Sequence, residues 1–129
     1  MMKPFLVLPI LLLLCLAACE KGVFSSSKQK DLEELANLKK DIDEWSSKVE
    51  CTNAADWKFT PLGDKACGGP TGYVAYSTKI DEAEFLKKVK DYTDKQKAFN
   101  LKWDMVSDCM FMVPPKSIEC VDGKPKLVY

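Results

Sequence analysis

The chain of 129 residues contains no histidine, and all of its basic residues are lysine. Without histidine there is no Ser-His-Asp or Cys-His arrangement, no imidazole base near neutral pH and no imidazole ligand for zinc. Without arginine there is no planar guanidinium to clamp a phosphate or carboxylate through two hydrogen bonds. Catalysis would have to use Asp, Glu, Lys or Tyr, and none of these forms a recognisable motif. The sequence therefore predicts a protein that is not an enzyme.

An excess of charge of one sign is also missing. The 19 basic residues are balanced by 19 acidic residues. Proteins that bind nucleic acids carry a basic surface that neutralises phosphates, so we expect no nucleic acid as a partner. The six cysteines include no Cys-x-x-Cys pair of the kind that zinc sites use. We therefore predict neither a metal nor a cofactor.

The chain lacks a hydrophobic run long enough to span a membrane. The apolar stretch 5–18 covers about 14 residues and is interrupted by Pro9. A spanning helix needs about 20 predominantly apolar residues, so this stretch is too short to cross a bilayer. Its position behind Lys3 is typical of a signal peptide.

The apolar stretch ends in Leu16-Ala17-Ala18-Cys19. Small residues directly before a cysteine, with leucine three positions before it, resemble the lipobox of bacterial lipoproteins. An ordinary secretory signal cut after Ala18 is the alternative, but that cleavage pattern prefers a small residue where Leu16 stands. The resemblance implies that the chain is cut before Cys19 and that Cys19 is acylated. Two or three acyl chains anchor a protein stably, because each buried methylene contributes about 0.8 kcal/mol.

The same resemblance implies a location and a division of the chain. A protein anchored in this way belongs to the cell envelope and has the membrane as its first partner. Because Glu20 and not aspartate follows the cysteine, we expect the outer membrane if the cell is Gram-negative. We predict a cleaved signal peptide over 1–18, a lipidated tether over 19–30 and one small domain over 31–129.

The remaining four cysteines of the predicted domain are Cys51, Cys67, Cys109 and Cys120. An even number of cysteines in an exported chain indicates disulfides, because the envelope is oxidising, and four cysteines allow three pairings. We favour the local pairing of Cys51 with Cys67 and of Cys109 with Cys120. Each would close a short loop and stabilise the fold by about 3 kcal/mol in the chain-entropy model.

Apolar spacing predicts two helices. The first, over 31–50, carries apolar residues at alternating intervals of three and four, which place them on one face. These residues are Leu35, Leu38, Ile42, Trp45 and Val49. The stripe covers about two heptads, fewer than a coiled coil needs, so we expect a monomer in which it packs on its own domain. Asp81 and Glu84 form a capping pair that opens a second helix, which runs to about residue 101.

Runs of aromatic and β-branched residues bounded by glycine and proline predict five strands. These are 56–61, 73–77, 109–113, 117–121 and 124–128. Asp122-Gly123 suits a type I′ hairpin turn. The element order predicts an α+β fold in which two amphipathic helices pack on a small antiparallel sheet, stapled by disulfides. We expect Trp45, Trp57 and Trp103 in the core, and a ligand platform is the alternative.

The most distinctive internal motif is the glycine-rich stretch around Cys67. Its candidate binding residues are Lys65, Gly68, Gly69, Thr71, Gly72 and Tyr73. Exposed backbone amides in such a loop can form an anion-binding nest, to which Lys65 would add charge. The alternative is a turn that only connects two strands. No Gly-Lys-Ser/Thr follows at the spacing of a P-loop.

These observations predict a lipid-anchored envelope protein whose small domain binds a protein or a small ligand, with the loop 68–72 and nearby Tyr73 and Tyr76 as the candidate surface. The alternative is an inhibitor of an envelope or host hydrolase that presents residues 67–72, since a rigid loop loses less conformational entropy on binding. A hydrolase that uses acidic residues is a third hypothesis, and it requires two carboxylates about 5–10 Å apart. A protruding loop favours inhibition, whereas a concave apolar pocket favours ligand binding.

Overall fold

The computed structural model describes the backbone of residues 20–129 and the side chains of residues 26–129. The predicted signal peptide and Cys19 lie outside this range. The helices are α1 (Glu20–Ser46) and α2 (Glu82–Lys102). The strands are β1 (Trp57–Leu62), β2 (Gly72–Ser77), β3 (Ser117–Val121) and β4 (Lys124–Val128). In this part of the chain no helix is long and apolar enough to cross a membrane.

The α+β class is confirmed, but the predicted single sheet is two separate antiparallel hairpins, β1–β2 and β3–β4. The turn between β3 and β4 is formed as predicted, because Asp122 has a φ of 51° and Gly123 a φ of 73°. The predicted strand 109–113 is wrong. Residues 103–116 form an irregular connection, whose backbone is held by disulfide and side-chain contacts with the loop between β1 and β2.

Both predicted helices are present, but the bounds of the first differ from the prediction. The Asp81 carboxylate caps α2 by accepting a hydrogen bond of 3.0 Å from the Glu84 backbone N–H. Helix α1 covers Glu20–Ser46 instead of 31–50, so residues 20–30 of the predicted tether are helical and Val49 lies beyond the end of the helix. Contacts with α2 reach this segment, since the Lys28 ammonium lies 6.0 Å from the centre of the Phe99 ring.

The β1–β2 hairpin has apolar packing on both of its faces. The helices cover one face, where the main core cluster contains Ile42, Leu62, Val74, Tyr76, Phe85 and Val89. The β3–β4 hairpin covers the other face, where Trp57 and Ala75 pack with Cys51. The small fold thus has two apolar clusters, and the β1–β2 hairpin separates them.

Residues 20–129 contain two disulfides, but the predicted pairing is wrong. The structure joins Cys51 to Cys120 and Cys67 to Cys109. The cause is tertiary packing. The Cys51 backbone N–H donates to the Gly123 carbonyl at 2.8 Å, which places the β3–β4 hairpin beside Cys51. Each disulfide therefore joins distant segments, with sequence separations of 69 and 42 residues.

A candidate contact surface of two linked loops

Two loops lie side by side and are joined by the disulfide between Cys67 and Cys109. The first loop, 63–71, connects β1 to β2, and the second loop, 103–113, follows α2. We call this pair the double loop. A connection as long as the one from α2 to β3 is uncommon in a compact domain when it has no secondary structure, and such loops are usually functional or disordered.

Polar contacts reinforce the link between the two loops. The Lys65 ammonium lies 2.6 Å from the Asp108 carboxylate and donates to the Met110 carbonyl at 2.9 Å. The Cys67 backbone N–H donates to the Ser107 hydroxyl at 3.2 Å. The hydrogen bond from Lys65 holds the pKa of Asp108 below its usual range. The carboxylate therefore remains charged, and the ion pair persists, well below neutral pH.

The first loop is also attached to α2. The Asp64 backbone N–H donates to the Gln96 side chain at 2.7 Å, and the Asn100 amide donates to the Asp64 carbonyl at 2.8 Å. Gly63 has a φ of +79°, and a Cβ there would lie 2.1 Å from the Thr71 hydroxyl. Only glycine fits this turn, because any side chain would meet both backbone strain and a clash. The base of the loop is thus well fixed.

The predicted binding residues occupy this loop but differ in accessibility. Gly68, Gly69 and Thr71 are exposed, whereas Gly72 and Tyr73 are half-buried. The Lys65 side chain is only 11% exposed and is paired with Asp108. The Gly68 backbone N–H points inward to the Lys65 carbonyl at 2.8 Å. The arrangement does not favour an anion-binding nest, since the lysine and this amide are already engaged within the double loop.

The second loop carries a feature that the sequence analysis missed. Val106 is 91% exposed, Phe111 is 79% exposed and Met110 is 72% exposed, and Leu101 at the end of α2 is 77% exposed. In a strand over 109–113, alternate side chains would face inward. The wrong prediction of this strand is the reason that the exposed apolar surface was not predicted. The sequence feature that could have indicated this surface is the uninterrupted apolar run 110–113, which lies between a cysteine and two prolines. Clustered exposed apolar residues mark sites of interaction.

The three tryptophans do not gather into a platform. Trp57 is buried at 6% exposure beneath the β3–β4 hairpin, and Trp45 packs against the main core. Trp103 lies at the end of α2, where its indole N–H donates to Asp31 at 2.9 Å. The prediction of a core position is confirmed for Trp57, and the other two are half-buried against helix surfaces.

A shallow cleft of about 380 Å³ lies near the start of α2, away from the double loop. Its lining includes Trp57, Lys58, Phe59, Tyr76 and Ile118. The Tyr76 hydroxyl donates to Glu82 at 3.0 Å, and the Lys58 ammonium contacts the same carboxylate at 3.0 Å. Burial, followed by this hydrogen bond, raises the pKa of Tyr76 to about 12. Tyr76 is therefore neutral and firmly protonated near neutral pH, which makes it a poor general base.

The carboxylates give the hydrolase hypothesis no support. Hydrogen bonds from basic or polar side chains lower the pKa of Asp31, Glu82, Asp91 and Asp108. A carboxyl group that acts as a general acid needs the opposite shift. Among residues 26–129 no group of three His, Cys, Asp or Glu side chains converges to hold a metal ion.

Comparison of the chain with models of protein families, with curated proteins and with solved structures gave no match in any of the three.

Proposed function

We propose that this protein is a lipid-anchored protein of the cell envelope whose domain works by contact through the double loop. The observation that carries the proposal is the exposure of Val106, Met110 and Phe111 on the second loop. The disulfide at Cys109 joins this loop to the first loop. Burial of apolar surface contributes about 25 cal/mol per Å², so these side chains gain free energy when a partner covers them. A loop that is already fixed loses little conformational entropy on binding.

The anchor is proposed from the lipobox-like sequence that ends at Cys19. This residue is bonded to Glu20, the first residue of α1. An acyl group on Cys19 would therefore be attached directly to the helix, with no long linker between the membrane and the domain.

A second candidate is inhibition of an envelope or host hydrolase by residues 67–72. The exposure of Gly68 and Gly69 and the disulfide at Cys67 favour it, because a stapled, protruding loop fits an active-site cleft. The tip offers only glycine and proline over 68–70, however. Binding hot spots are usually large side chains that fill a pocket, and this tip has none. Contact through the second loop is the better-supported proposal.

Replacing Cys19 with alanine should abolish incorporation of labelled fatty acid and release the protein from the membrane fraction. The physical reason is that no thiol remains to carry the lipid. Acyl labelling of growing cells, followed by separation of membranes, measures both effects. Cys15→Ala is the matched control and should change neither, because Cys15 lies within the predicted signal peptide. Persistent labelling of the Cys19 variant would contradict the proposed anchor.

A photoreactive benzoyl-phenylalanine in place of Phe111 should form crosslinked adducts in the intact envelope, because this side chain lies on the proposed contact surface. The same amino acid in place of Lys40, whose side chain is 75% exposed on α1, is the control. We expect several-fold more adducts at position 111 than at position 40, because only position 111 lies on the exposed apolar surface. Equal yields at the two positions would overturn the double loop as the contact surface.

A further inference from the structure

The double loop and the beginning of α1 lie at the same end of the molecule. Helices α1 and α2 are antiparallel, since Asp31 contacts Lys102 and Asp41 contacts Lys88. The end of α2, from which the second loop continues, therefore lies beside the first half of α1. The first loop reaches the same end through the hydrogen bond between Asn100 and Asp64.

The distance from this end to the proposed anchor is short. Glu20 and Asp31 belong to the same helix, and a rise of 1.5 Å per residue separates them by about 16 Å along its axis. The double loop can therefore reach the surface to which the start of α1 is attached when the axis of α1 is strongly inclined to that surface.

The side chains at this end have the composition of a membrane interface. Leu101, Val106 and Phe111 are exposed and apolar. Beside them, the Lys28 and Lys102 ammonium groups lie 5.9 Å and 5.0 Å from the centre of the Trp103 ring. Aromatic rings with a polar edge and lysines with long apolar stems are typical of the boundary between lipid and water.

The neighbouring charges limit the depth of such a contact. Asp104 and Asp108 are exposed within the same loop, and carboxylates are costly to place in hydrocarbon. The apolar side chains can enter the headgroup and upper acyl region, a depth of about 5–10 Å, while both carboxylates stay in water. A cleft of about 200 Å³ also lies at this end, but it is lined by residues of α1 and α2, such as Leu35 and Phe99, and by none of the second loop.

We infer that the partner of the double loop is the bilayer itself, so that the domain contacts the membrane through Cys19 and again through the second loop. The inference rests on the proposed lipid anchor. The two contacts would hold α1 inclined on the surface.

The chemical identity of the adducts at position 111 tests this inference. In the full lipidated protein, lipid adducts should outnumber protein adducts several-fold, because the photoreactive ring lies among lipid chains. They should persist when the purified lipidated protein is placed in vesicles of phospholipid alone. The variant with the photoreactive group at Val106 should behave in the same way, and the variant at Lys40 should give few lipid adducts. Mass spectrometry under non-reducing conditions would also verify both disulfides in each variant.

Two other outcomes would overturn the inference in different ways. Predominantly protein adducts at position 111, lost in phospholipid vesicles, would refute the bilayer as the partner but leave the double loop as the contact surface. Adducts at position 111 no more frequent than at position 40 would refute both the inference and the proposed function.

Discussion

Replacing both Cys51 and Cys120 with serine should lower the free energy of unfolding by about 5 kcal/mol. This disulfide closes a loop with a sequence separation of 69 residues, and the chain-entropy model gives longer loops the larger stabilisation. Cys51 is also buried at 3% exposure beside Trp57 and Ala75. A serine hydroxyl there would place a polar group in an apolar cluster. The loss approaches the whole stability of a small domain.

Urea unfolding followed by tryptophan fluorescence measures this change. The matched control replaces Cys67 and Cys109 with serine, which should cost about 4 kcal/mol because the loop is shorter and neither cysteine is buried. A loss below about 1 kcal/mol for the first variant would contradict the assigned role of its disulfide. Peptide mapping without reductant should also recover the Cys51 peptide joined to the Cys120 peptide.

Phe85→Ala should lower the free energy of unfolding by about 4 kcal/mol. The side chain is fully buried, and its ring centre lies 4.9 Å from that of Tyr76. Truncation removes the hydrophobic transfer energy of the ring and leaves a cavity that Ile42 and Val89 can fill only in part. The cost is large because this residue joins α2 to the β1–β2 hairpin.

The neighbouring Leu86 provides the control for this variant. It is 37% exposed and lies on the outer side of the same helix turn. Leu86→Ala should cost about 1 kcal/mol, clearly less than Phe85→Ala, since alanine keeps the helix propensity and the leucine is smaller and only partly buried. Urea midpoints that shift equally for the two variants would contradict the assignment of Phe85 to the core.

The elements that could be predicted from the sequence are those whose stability is local. The Asp81 cap places the start of α2 because its carboxylate satisfies a backbone N–H three residues away. The turn at Asp122-Gly123 fixes the β3–β4 hairpin because those two residues accept positive φ values. The apolar stripe of α1 includes Ile42, which is fully buried. Each of these features depends on residues within a few positions of one another.

The features that could not be predicted depend on contacts between residues far apart in the chain. The disulfide pairing depends on two tertiary contacts: the β3–β4 hairpin packs beside Cys51, and the second loop lies beside Cys67. Neither contact can be predicted from the spacing of the cysteines along the chain. The run over 109–113 has strand composition, but its neighbours in space are a glycine-rich loop and solvent, so no partner strand pairs with it. Its apolar side chains are exposed for that reason. The double loop, the candidate site of this protein, therefore arises from packing between segments that local sequence patterns cannot connect.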